Sequence, residues 1–185
     1  MPLILIATPG SASANSYATV AEADLFHEGH VYASAWWALD PIPKVVALVH
    51  ATRVLDEQVQ WNGTRTTETQ ALRWPRFGVP DRDNRDGWDY GYGRGYGYGF
   101  HIDDGVIPLW LKHATAELAR SLVIEDRTQE PDLLEFSEIT VGTLSLVKDT
   151  SKRKDVLPES VRAIVAPYGI VNSYTGVGIA KLIRS

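Results

Sequence analysis

The stretch DPIPKVVALVHATRVLDEQV, residues 40–59, decides the fold. Asp40 is a good N-cap, and Pro41 suits the first helical position, where a missing N–H costs nothing. Val45, Leu48, Val49, Thr52, Leu55 and Val59 then recur at three- and four-residue steps. That spacing places them in one stripe and predicts an amphipathic helix over 41–59, which needs a second apolar face to cover it. Trp36 and Trp37, just ahead of it, anchor the connection.

Two further segments can supply that face. Thr19-Val20-Ala21-Glu22 has capping-box spacing, so a helix is expected to open at Thr19, with Ala23, Phe26 and His30 facing inward and Gly29 weakening its end. Pro108 opens a third helix, expected over 108–127. Leu109, Leu111, Ala114, Thr115, Leu118, Ala119 and Leu122 form its broad apolar face, and Pro131 lies beyond its end. The small residues Ala114, Ala116 and Ala119 permit close helix packing.

Past this helix the period changes. Ile139, Val141, Leu144, Leu146 and Val147 read as a strand pair, or as one strand bent at Gly142. Pro158 starts a short helix to about Ala166. Pro167, Gly169, Gly176 and Gly178 make the rest an irregular tail with an apolar end at Ile179–Ile183. The expected fold is therefore mainly α: a small helical bundle with a short β element and extended terminal arms. The expected division is an arm over 1–18, a helical domain over 19–167 and a tail over 168–185.

Residues 60–106 carry no sustained period, and Pro75 and Pro80 break any helix there. Within them lies GWDYGYGRGYGYGF, residues 87–100, which holds six Gly and half of the protein's eight Tyr. Ordering such a segment is entropically costly, so it reads as a loop tip or as an element ordered by a partner. Tyr92, Arg94, Tyr96 and Tyr98 are its candidate contacts. An interface, favoured because Tyr gives contact area at low entropy cost, or a plain solvent loop is the preferred role; stacking on single-stranded bases is the alternative.

Composition removes several function classes. The absence of Cys excludes disulfides, thiolate metal sites and cysteine nucleophiles. The formal net charge is −5 and the Lys and Arg are scattered, apart from Lys152-Arg153-Lys154. Tight nucleic-acid binders cluster such residues to neutralise phosphates. No apolar run approaches a membrane span. Leu3–Ala7 followed by Ser11–Ala14 imitates a signal peptide, but it is short and no basic residue precedes it, so a strand or arm is expected instead.

Candidate chemistry is sparse. His27-Glu28-Gly29-His30 has its histidines three apart, whereas the zinc-protease helix needs four; surface or half-buried histidines are expected. Asp81–Gly87 misses the calcium-loop register, since position 5 is Arg85 and position 6 is Asp86. No G-x-S-x-G elbow occurs, and Asn62-Gly63-Thr64 is a sequon only if the chain is secreted. No enzyme activity, metal or cofactor is expected.

Four blocks together carry a family resemblance. They are Asn15-Ser16-Tyr17 with Thr19–Asp24; Ala47-Leu48, Ala51-Thr52 and Leu55-Asp56; Trp61–Arg65 with Gln70-Ala71-Leu72-Arg73-Trp74-Pro75-Arg76-Phe77-Gly78; and Ile107-Pro108 leading to Ala114–Ala119. In this order, over roughly 13–168, they resemble a tailed-phage family of DnaT-like single-stranded-DNA-binding proteins. They are also similar to the head–tail adaptor, or head-completion, proteins of long-tailed phages. The Gly/Tyr segment departs from the pattern as an insertion.

The resemblance implies a helical subunit assembled as a ring, commonly of twelve, in the virion neck after assembly in the host cytoplasm. It would bind below a portal protein, extend the DNA channel and carry a downstream tail protein, with double-stranded DNA passing through unread. It implies no catalytic residues. Tyr174, Ile179, Leu182 and Ile183 then become candidate contacts of an arm onto the portal or a neighbouring subunit. The alternative is a single-stranded-DNA-binding replication accessory.

Overall fold

In a computed structural model the described residues of the chain fold around five α-helices. The structure describes residues 3–81, 101–128 and 155–172, and the backbone of strands 138–141 and 144–147. The Gly/Tyr segment with Tyr92, Arg94, Tyr96 and Tyr98, the acidic loop beyond Asp81, the Lys152–Lys154 run and the tail with Tyr174, Ile179, Leu182 and Ile183 lie outside the described residues.

The expected capping box opens α1, Val20–Glu28: the Glu22 amide donates to the Thr19 hydroxyl, and the Glu22 carboxylate accepts from the Thr19 amide. A four-residue helix, α2 (Ser34–Trp37), follows and buries Trp36 while leaving Trp37 exposed. Next comes α3, Pro41–Gln58, with Asp40 in extended N-cap geometry but without a side-chain capping bond. Its buried face is Lys44, Ala47, Leu48, Ala51, Thr52, Val54 and Leu55. The inward stripe is thus centred to one side of the expected one, and Val45 and Val49 are only half buried.

The centre of the molecule is the pairing of α3 with α4, Leu109–Ile124. Leu48 and Leu55 meet Leu111 and Leu118 in one core; all four are fully buried, each contributing about 1.5–3 kcal/mol. Ala114, Ala116 and Ala119 are buried between them, as small residues at a close helix contact should be. Leu109, expected inside, is exposed, because Pro108 is the N-cap and Leu109 the first helical residue. Helices α1 and α2 pack on α4 from one side, and α5, Glu159–Val165, from another.

The β elements are three two-stranded pairs. Glu138–Val141 (β4) and Leu144–Val147 (β5) pair antiparallel, which selects the strand pair over the bent strand. Three further strands run through the stretch that lacks a period: β1 (Val59–Trp61), β2 (Thr64–Arg65) and β3 (Arg76–Phe77), with β2 pairing β3. Gly63 turns the chain between β1 and β2 at φ 70°, and a Cβ there would strike the Phe77 carbonyl.

The irregular tail expected from Pro167 onward is corrected at its start. A 3-10 turn over Ala166–Tyr168 leads into β6, Gly169–Val171, which pairs antiparallel with β1. A Cβ on Gly169 would lie 2.8 Å from the Gln60 carbonyl, so the close strand approach requires glycine. Tyr168 is buried and stacks on Trp110, with ring centroids 4.0 Å apart. At the other terminus Ala14, Tyr17 and Ala18 are buried in the helical domain, and Asn15 ties Ile4 and Ile6 down through its side chain.

Candidate functional site

The loop from Trp61 to Gly78 folds over the C-terminal half of α3, and two of its polar side chains, Gln70 and Arg76, are turned inward onto its backbone. Gln70 is buried: its Oε1 accepts from the Thr67 amide at 3.0 Å, and its Nε2 donates to the Leu72 and Pro75 carbonyls at 2.8 and 3.1 Å. Arg76 donates to the carbonyls of Asn62 (2.6 Å), Arg73 (3.0 Å), Trp61 (3.4 Å) and Gly63, closing the two ends of the loop together. Trp74, preceding a cis Pro75, is buried edge-on against Trp61 and Trp110.

Asp56 joins this loop to the helix. Its Oδ1 accepts from the Tyr17 hydroxyl at 2.6 Å and the Trp61 indole at 3.2 Å, while its Oδ2 accepts from the Arg73 amide at 3.2 Å. The Tyr17 oxygen in turn accepts from the Trp74 amide at 3.3 Å. Burial pushes the Asp56 carboxyl above its ordinary range, although these donors pull against it. Burial, and then the charge of Asp56, push the Tyr17 phenol well up. A bonded network of this kind favours one loop register, because any slip leaves these groups unpaired; the buried Trp74 indole N–H is the exception, with no partner.

A second network joins α1, α4 and α5. Arg120 donates to both oxygens of the buried Glu117, at 2.6 and 3.1 Å, and Ser160 adds a bond at 3.1 Å. Burial alone would raise the Glu117 carboxyl, but the bonds from Arg120 and Ser160 hold it below its usual range. Another Arg120 nitrogen reaches the Tyr32 carbonyl at 3.2 Å. Asp24 binds both the Trp36 indole and the Lys44 ammonium at 2.8 Å, and that ammonium lies 4.8 Å from the Trp37 ring centroid. Lys44 is therefore buried as a paired, ring-stacked cation.

The two histidines part company. His27 is buried, with Nε2 3.2 Å from the Ala116 carbonyl and Nδ1 without a partner, and burial lowers its pKa to about 4. That corrects the expected surface or half-buried placement for His27. His30 is half buried, 3.5 Å from Glu117. Among the described residues no group of three His, Asp or Glu side chains could hold a metal ion, and no helix is long and apolar enough to cross a membrane.

Two exposed features stand out among the described residues. A shallow groove of about 290 Å³ runs beside Asp56, between Arg53 and Glu57 on one wall and Leu72 and Arg73 on the other. Beyond it Arg65, Arg73 and Phe77 are exposed. Exposed apolar side chains also occur at Val31 and Tyr32 in the α1–α2 connection, at Trp37 on α2, and at Ile42 and Val46 on α3.

Sequence reasoning assigned no role to Tyr17, Asp56, Gln70 or Arg76, although all four lie in the blocks that carry the resemblance. It also passed over Ile42 and Val46, whose signal was apolar side chains one turn apart and off the inward stripe. The exposed face on those residues and the buried Asp56 network are both built on α3.

No match exists among curated proteins or solved structures. The match to a family is broader than the 13–168 span of the resemblance. Across residues 1–185 the chain matches the family described as "Putative DnaT-like ssDNA binding protein", and it belongs to that family.

Proposed function

We propose that the chain is a structural assembly subunit, a head–tail adaptor that forms a ring below the portal of a tailed phage. The observation that carries the reading is how the Trp61–Gly78 block is used. Gln70, Trp74 and Arg76, together with Asp56, are committed to holding a loop on α3. The block that carries the resemblance is thus used as architecture: Gln70 and Arg76 bond to its own backbone, and among the described residues no nucleophile and base face a common cavity. An acidic chain suits a channel wall that must pass DNA without retaining it. In this role the chain contacts copies of itself, the portal and a downstream neck or tail protein. Electron microscopy of the purified chain with portal tests the reading: rings seated on the portal are expected. A protein that stays monomeric and ignores portal overturns it.

A second reading, a single-stranded-DNA-binding accessory, is favoured by the family's description and by the exposure of Arg65, Arg73 and Phe77 on one loop, Phe77 at 61%. Guanidinium groups beside an exposed ring are what phosphate pairing and base stacking use. Fluorescence anisotropy with a labelled oligo-dT separates the two. Micromolar affinity at physiological salt, falling steeply with added salt and lost in the Arg65→Ala/Arg73→Ala variant, establishes the second reading and displaces the first.

A further inference from the structure

We propose that Asn62-Gly63 is a self-modifying site, at which the folded chain converts Asn62 to aspartate and isoaspartate through a cyclic imide.

The chemistry needs an asparagine side chain free to turn, a following residue with no side chain to block ring closure, and a backbone N–H free to lose its proton. The turn between β1 and β2 supplies all three. Asn62 is exposed, and among the described residues its side-chain amide has no hydrogen-bond partner. Gly63 cannot give way to a bulkier residue, because its φ is 70° and a Cβ would strike the Phe77 carbonyl. Its N–H lies ahead of β2, which starts at Thr64, and among the described residues it donates to no acceptor. The other asparagines that the structure describes are tied down and precede serine. Asn15 donates to the Ile4 carbonyl and accepts from the Ile6 amide, both at 2.8 Å, and Asn172 donates to the Glu57 carbonyl at 3.4 Å.

The backbone at this bond is anchored while the side chain is not. The Asn62 N–H donates to the Tyr168 carbonyl at 2.9 Å, and the Asn62 carbonyl accepts from Arg76 Nε at 2.6 Å. Nucleophile and target are neighbours along one chain, so ring closure costs no encounter. Arg76 also stands where charge develops. Once deprotonated, the Gly63 nitrogen shares its negative charge with the Asn62 carbonyl oxygen, and a guanidinium on that oxygen stabilises the anion before it attacks.

Water is the only co-reactant. The Gly63 nitrogen gives its proton to hydroxide and attacks Cγ of Asn62. The N–Cγ bond forms, the Cγ–Nδ2 bond breaks, and Nδ2 takes a proton from water and leaves as ammonia. Water then opens the imide at one of its two carbonyls. Breaking the bond to Cγ leaves aspartate on an unchanged backbone. Breaking the bond to the main-chain carbonyl leaves isoaspartate, whose backbone runs through Cβ and is longer by one carbon. Either product adds one carboxylate in the turn that Arg76 holds, taking the formal net charge from −5 to −6.

The test incubates the full chain at neutral and at mildly alkaline pH, digests it with trypsin and follows the Val54–Arg65 peptide by mass spectrometry. A gain of one mass unit localised to Asn62 is expected, split into two chromatographic products. It should be faster at the higher pH, because the attacking nitrogen must first lose its proton, and Asn15 and Asn172 should stay unchanged. Asn62→Gln is expected to abolish the gain, since glutamine must close a larger ring. Incubation in guanidinium chloride sets the rate of the unfolded chain, and the folded rate should lie within about tenfold of it. A folded chain that keeps Asn62 while the unfolded chain converts it shows that the fold quenches the site, and overturns the inference. Conversion in the folded chain that is spread equally over Asn15, Asn62 and Asn172 overturns it as well.

Discussion

Acidification should destabilise this protein through His27 before its carboxylates titrate. The Nε2 nitrogen faces the Ala116 carbonyl, so it carries the proton in the neutral ring, and any second proton must go to Nδ1, which is buried without an acceptor. Around the ring stand Phe26, Trp36, His30, Glu117 and Arg120. The pull of Glu117 does not compensate for burial, and the folded pKa falls to about 4 from 6.5. A depressed value means that the unfolded chain takes the proton more readily. Stability is therefore full above about pH 6.5 and is lost as pH falls toward 4. Integrated from about pH 7.5 to pH 5, this one group costs about 2 kcal/mol. Urea unfolding of the wild type and His27→Gln at the two pH values isolates it, since Gln keeps a donor for Ala116 and does not titrate. The wild type should lose about 2 kcal/mol more than the variant. Equal losses, or an His27 imidazole that titrates near its ordinary value by NMR, would falsify this account.

Asp56→Ala strips the acceptor from the Tyr17 hydroxyl, the Trp61 indole and the Arg73 amide, so urea unfolding should register a loss of about 3 kcal/mol or more. Its pH signature has the opposite sign to that of His27. With the folded pKa raised by burial, Asp56 makes stability fall as pH rises through the carboxylate range, and Asp56→Asn should remove that slope in a pH series of melts. Gly63→Ala forces a positive φ and a clash with the Phe77 carbonyl; a drop of about 2 kcal/mol, or roughly 5 °C in the melting temperature, is expected by calorimetry. Glu117→Ala leaves the half-buried Arg120 guanidinium without its carboxylate, holding only the Tyr32 carbonyl, at a cost of about 2–3 kcal/mol read by denaturant midpoint.

Local signals in the sequence were legible. The Thr19 box, the Asp40-Pro41 start and the apolar period of α4 each depend on residues within a turn or two and form as expected, except that Leu109 faces out and α4 ends at Ile124 instead of 127. What failed depends on partners distant in the chain. β6 forms because β1 offers an edge, and nothing in Gly169-Ile170-Val171 itself names Val59-Gln60-Trp61 as its mate. Trp110 and Tyr168 stack only once α4 and the turn after α5 have been brought together. Lys44 was invisible as an inward residue because its burial needs Asp24 from α1 and the rings of α2. The site inherits the same limit: Asp56 is an unremarked carboxylate until Tyr17, Trp61 and Arg73 converge on it.

The burial of Lys44 bears directly on what α3 presents to solvent. Leu48 and Leu55 set against α4, and the Tyr17 amide bonded to the Thr52 hydroxyl, fix the rotation of α3 about its axis. With that rotation Lys44 points in and Ile42 and Val46 point out. A chain stabilised only for life as a monomer would gain from the reverse, since burying one such aliphatic side chain is worth about 1.5–3 kcal/mol. A neighbouring subunit of the proposed ring that covered Ile42 and Val46 would recover that energy, and the recovery is measurable because stabilisation by association depends on concentration. The melting temperature of the wild type should therefore climb as protein concentration is raised through the association midpoint, while that of Ile42→Glu stays flat. If the wild-type melting temperature is independent of concentration across that range, the exposed side of α3 stores no assembly energy, and the argument from its rotation fails.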